Sequence, residues 1–122
     1  MGHGRHHSPA DLADAALSAS VAETLQALAT PSRLRILAHL HSGPSAVNEI
    51  AAAVEMEPSA VSHQLRVLRT LGLVVGERHG REIHYELYDE HVAQLMTEAM
   101  SHVEHLRLGL AGHARREMSE VA

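Results

Sequence analysis

The stretch PSAVSHQLRVLRTLGLVVGERHGREIHYELY, Pro58 to Tyr88, decides the fold. Proline at the first helical position brings a suitable φ and lacks only an N–H that would have no partner there, so Pro58 reads as a helix start. Val61, Leu65 and Leu68 then recur at helical spacing, and Gly72 stops the run. After Gly72 the period changes. Val74 and Val75, then Ile83, Tyr85 and Leu87, suit a two-stranded antiparallel ribbon, and His79-Gly80 supplies the positive-φ residue that a tight hairpin needs.

Upstream, AVNEIAAAV (46–54) is a second short helix, joined to the first by the tripeptide EME. Two short helices with a turn of about three residues form a helix-turn-helix, whose second helix is the natural reader of a major groove. With the hairpin as a wing, the unit is a winged helix. Further upstream, ATPSRLRILAHLHSGP (29–44) gives Thr30 as N-cap and Pro31 at the first helical position. It places Leu34, Leu37 and Leu40 on one face, with Gly43-Pro44 as terminator. Before it, Val21, Leu25 and Leu28 mark another helix. The expected fold is mainly α with a β-hairpin wing. Residues 1–8 form a Gly- and His-rich arm, 9–110 the winged-helix and dimerisation domain, and 111–122 a C-terminal tail.

Composition narrows the chemistry. At 122 residues and 45% hydrophobic content, the chain suits one domain. It has no Cys, which removes disulfides, thiolate metal sites and Cys nucleophiles, so any metal must be held by nitrogen and oxygen. No stretch approaches the ~20 apolar residues of a bilayer span and the start lacks a signal-like apolar core. A cytoplasmic protein with no membrane partner is expected. The net charge of -5 argues against indiscriminate nucleic-acid binding, yet Arg66, Arg69, Arg78 and Arg81 face a single acid, Glu77, between Pro58 and Arg81. Ser59, Ser62, His63 and Gln64 on the second helix are candidates for contact with double-stranded DNA, and the four arginines for phosphates or the minor groove.

At this point LQALATPSRLRILAHL, SAVSHQLRVLRTLGLVVGERHGREIHYELYDEHVAQL and the His-bearing last helix resemble the ArsR/SmtB family of metal-responsive repressors, and within it the nickel- and cobalt-sensing subgroup. The resemblance runs from about Val21 to His113, and the initial MGHG shares it. It implies a homodimer, paired largely through terminal helices, that binds an inverted-repeat operator when metal-free and is released by nickel or cobalt. It assigns Asp89, His91, His102 and His105 to the metal, with Gly2 and His3 of the arm completing a site of higher coordination number. His113 is a further candidate ligand. Zinc is the alternative effector, because one Asp and three His already satisfy a tetrahedral ion.

Helical geometry reaches a compatible site. At 100° per residue, His102 lies about 20° from His91 and His105 about 40° to its other side, so the three form one stripe. His91 and His102 are nevertheless separated by about 16 Å along the axis, while metal–nitrogen bonds are about 2 Å. One helix cannot close the site. Two antiparallel copies about a twofold axis bring Asp89 and His91 of one chain beside His102 and His105 of the other, with Val92, Leu95, Ala99, Val103 and Leu106 as the apolar stripe between them.

Competing readings are a solvated histidine face, and a site within one chain from Glu98, His102 and His105 at i, i+4 and i+7. The latter leaves Asp89 and His91 unused. A metal-dependent hydrolase with Glu98 or Glu104 as base has no recognisable catalytic motif to support it. A His-rich metal buffer leaves the winged helix unexplained. His39, His41 and His84 read as structural or surface residues, and the chain as a non-enzyme.

Overall fold

A computed structural model describes residues 7–121. A short 3₁₀ turn (Pro9–Ala13) is followed by α1 (Ala15–Leu28), α2 (Pro31–His41), β1 (Ser45–Ala46), α3 (Val47–Val54), α4 (Pro58–Thr70), β2 (Val74–His79), β3 (Glu82–Leu87) and α5 (Glu90–Val121). Asp14 caps α1 by accepting from the Leu17 N–H at 2.8 Å. Thr30 caps α2 by accepting from the Arg33 N–H at 3.2 Å, with Pro31 behind it, as the sequence indicates. Each such cap contributes about 1 kcal/mol.

Helices α3 and α4 form the helix-turn-helix. The turn depends on Glu55, which adopts the left-handed region at φ 57 and lets the Met56 N–H close onto the Ala51 carbonyl at 3.0 Å. Pro58 then starts α4. That helix ends as its glycine predicts: Gly72 takes φ 74 and the Leu73 N–H returns to the Leu68 carbonyl at 2.9 Å.

The expected two-stranded ribbon is in fact the larger part of a three-stranded antiparallel sheet of order β1-β3-β2. Ser45 pairs with Tyr85 and Ala46 with His84. A strand of two residues has no alternation to betray it, which is why periodicity missed it. In the hairpin His79 pairs with Glu82, leaving Gly80-Arg81 as a two-residue loop, and only Gly80 has positive φ, the II′ pattern. Gly76 sits in a tight spot, because a Cβ there would meet Ile83 Cγ2 at 3.0 Å and Tyr85 Cε1 at 3.1 Å, and both side chains would have to shift.

Val61, Leu65 and Leu68 of α4 are fully buried, together with Ile50 of α3 and Val74 of β2, and Val54 of α3 is buried beside them. Burying each large aliphatic side chain contributes about 1.5–3 kcal/mol. On α2 the buried set is Ile36, Leu37 and Leu40, whereas Leu34 stays 41% exposed. The difference arises because α2 touches α1, α3, α5 and β3, so one narrow stripe does not serve all its neighbours. On α1, Leu28 is buried and Leu25 is exposed.

Helix α5 joins the core only at its start, through Val92 and Ala93, with Met96 packed at the edge. Val92, expected on the pairing stripe, therefore belongs to the chain's own core, and the free stripe begins with Leu95. Residues 97–110 are exposed throughout, Met100, Val103, Leu106, Leu108 and Leu110 included. The helix does not stop near Leu110 but continues through the segment read as a tail, where Arg, Glu and Met favour helix.

Candidate functional site

On α4, Ser59, His63, Arg66 and Thr70 succeed one another at three- and four-residue steps and are all exposed, on the side away from Val61, Leu65 and Leu68. Arg69 is exposed on the flank, and Ser62 and Gln64 are half-buried. Gln64 has a partner that no local pattern could reveal: its Oε1 accepts from Arg33 Nε of α2 at 2.7 Å, a contact across 31 residues of sequence.

Arg81 stands in the wing loop and Arg78 on β2 opposite Ile83; both are exposed. Among the described residues none of Arg66, Arg69, Arg78 and Arg81 forms an ion pair. Their charge is therefore left for an external anion, and neutralising phosphates is the chief source of affinity for DNA. Two of the wing acids, Glu77 and Glu82, face imidazoles instead. Glu77 lies 3.9 Å from His79 and Glu82 lies 3.1 Å from His84, and the two imidazoles stack at 4.5 Å with an interplanar angle of 19°. This stack makes His84 a half-buried packing residue, and only the cross-strand register brings it beside His79.

Asp89 immediately precedes α5. Its Oδ1 accepts from the His91 N–H at 3.0 Å, and its Oδ2 lies 3.1 Å from His91 Nδ1. The imidazole, 81% exposed, is thereby oriented by the carboxylate with Nε2 left for an external partner. His102 and His105 are exposed on later turns of the same helix. Among the described residues no three His, Asp or Glu side chains of one chain come together to hold a metal ion, so Glu98, His102 and His105 do not assemble as a site. The donor set of one carboxylate and three imidazoles suits zinc, nickel or cobalt. Gly2, His3 and the side chain of His113 lie outside the described residues.

Between α2 and α5 runs an open apolar groove of about 720 Å³, lined by Leu34, Ala38, Met96, Met100 and Val103 among others. Leu95, Leu106, Leu108 and Leu110 of α5 are exposed as well, so a monomer would present much apolar surface to water.

A family model described as bacterial regulatory protein, arsR family, matches residues 30–75. The chain is 61% identical over 113 residues to the HTH-type transcriptional regulator NmtR of Mycobacterium tuberculosis, covering 91% of this chain and 94% of that protein. It is 45% identical over 84 residues to a transcriptional repressor SmtB homolog of Synechocystis, covering 69% and 64% of the two chains. Among solved structures, it is similar to the solution structure of apo-NmtR, with a TM-score of 0.66, 60% identity and 86% of each chain covered. It is also similar to a homodimeric winged helix-turn-helix DNA-binding domain from Mycobacterium bovis, with a TM-score of 0.70, 36% identity, and 84% and 94% of the chains covered.

Proposed function

The chain belongs to the ArsR/SmtB family of winged helix-turn-helix transcriptional regulators, and from that premise we propose that it is a homodimeric repressor whose operator complex is dissolved by nickel or cobalt. One observation carries the metal half of this reading. Asp89 and His91 stand at one end of an exposed helical stripe and His102 and His105 at the other, with uncovered apolar residues between them. Each pair supplies half a ligand set, and a second copy laid antiparallel along α5 brings the complementary half. The same pairing covers Leu95, Met100, Val103 and Leu106.

Asp89, His91, His102 and His105 would hold the ion, with Gly2 and His3 of the arm, or His113, adding donors for a metal that takes five or six. Bound there, the ion would cross-link the two chains. For release, it must bind more tightly to a dimer whose recognition helices are misplaced for DNA, and such coupling is typically about 1–3 kcal/mol. Ser59, Ser62, His63 and Gln64 present hydrogen-bonding groups along α4, while Arg66, Arg69, Arg78 and Arg81 bring the charge that phosphates require. A twofold dimer reads an inverted repeat.

A zinc-responsive repressor is the second reading, favoured by the four-donor set itself. The test is retention of genomic DNA fragments by the metal-free protein. A restricted set sharing an inverted repeat, released by nickel or cobalt, is expected. Retention without sequence preference would overturn the regulatory reading and leave a His-rich metal binder.

A further inference from the structure

Arg33 joins three helices. Its Nε donates to Gln64 Oε1 at 2.7 Å, linking α2 to α4, and its Nη1 lies 3.5 Å from the Ala27 carbonyl in the last turn of α1. A guanidinium offers donors only, so the Gln64 amide must present oxygen to Arg33 and turn its nitrogen away. That nitrogen has no hydrogen-bond acceptor among the described residues, and no buried side-chain nitrogen or oxygen lacks a partner. Gln64 Nε2 is therefore not sealed from solvent, and it carries two unused N–H donors.

We propose that Arg33 is a positioning residue for DNA recognition: it locks Gln64 as an outward hydrogen-bond donor to an acceptor on the duplex, either a phosphate oxygen or a base edge. The donor role rests on α4 being the recognition helix. Its consequence for base choice follows from the amide. A freely turning glutamine pairs with adenine through both its oxygen and its nitrogen. With one lone pair of Oε1 committed to Arg33, that bidentate pairing is disfavoured, which leaves a single donated bond to a purine N7, guanine O6, thymine O4 or a phosphate.

Three variants, Arg33→Met, Gln64→Met and the double, test this on the duplex that the metal-free wild-type protein selects from a randomised library. Gln64→Met should weaken binding about five- to tenfold, the worth of one hydrogen bond. Arg33→Met should weaken it less, and the double variant should be no worse than Gln64→Met alone. If Arg33 merely supports the fold, Arg33→Met will cost the same factor with or without Gln64, and this result would overturn the assignment. Repeating the selection with Arg33→Met identifies the acceptor: adenine gained at one position means a base edge, and an unchanged selected sequence with weaker binding means a phosphate. In the DNA-free protein the Gln64 side-chain amide should be rigid by NMR relaxation and loosen in Arg33→Met. An amide equally rigid in both proteins contradicts positioning by Arg33. A wild-type protein that selects no duplex refutes the recognition-helix reading and the donor role with it, while the amide measurement still reports whether Arg33 holds Gln64.

Discussion

Asp89 holds His91 at two points, through the backbone N–H at 3.0 Å and the imidazole Nδ1 at 3.1 Å. The first contact caps α5; the second orients the imidazole proposed as a metal ligand. Substitution separates these roles. Asn caps a helix about as well as Asp, whereas Ala does not. Asp89→Asn should keep the melting curve of the wild type yet lose nickel and zinc affinity, because the carboxylate charge is gone. Asp89→Ala should lose metal affinity and about 1 kcal/mol of stability. Calorimetry and chelator competition check both, and wild-type metal affinity in Asp89→Asn would reduce Asp89 to a cap.

A ligand set divided between two chains, as proposed, has its own signature. A His91→Ala chain mixed with a His102→Ala chain should form heterodimers with one intact site and one doubly damaged site, while each homodimer has only damaged sites. Metal affinity should partly return on mixing, read by competition after heterodimers are verified by mass spectrometry. No recovery would contradict a site shared between the two chains.

Deleting residues 2–7 should lower nickel affinity and weaken nickel-driven release of DNA, because nickel loses donors that water must replace. Zinc, satisfied by four ligands, should lose much less. X-ray absorption on full-length and shortened protein reports the coordination number directly. Equal losses for both metals would make the arm a bystander and favour a zinc sensor.

The unpaired arginines carry a prediction about salt. Arg66→Ala or Arg81→Ala should weaken operator binding and reduce the slope of log affinity against log salt by about one. Metal affinity should stay unchanged. If neither variant alters DNA binding at physiological salt, the recognition helix and wing are misassigned.

The architecture was legible because its punctuation is chemical: Pro31, Pro58 and Gly72 stand where helices start and stop, and Gly80 where the hairpin turns. Val61, Leu65 and Leu68 could be read as core from spacing alone, since α4 buries one face. Helix α2 was less legible, because it packs against several neighbours and spacing does not say which leucine meets solvent. Val92 misled for a related reason: it continues the apolar stripe of α5, and only the fold shows that the helix enters the core there. Strand β1, the His79–His84 stack and the Arg33–Gln64 bond depend on residues brought together by pairing or packing, with no local signal. The metal-ligand candidates were visible because their separation along one helix is itself informative.

The central claim is that metal and operator compete through one dimer, and fluorescence anisotropy of a labelled operator duplex tests it most directly. The duplex is titrated with protein at fixed salt, metal-free and at buffered free nickel, cobalt and zinc. The metal-free protein should bind tightly, and nickel or cobalt should lower its affinity by about five- to 150-fold, the range of typical allosteric coupling. An operator affinity that is unchanged by all three metals, or raised by them, would contradict the account.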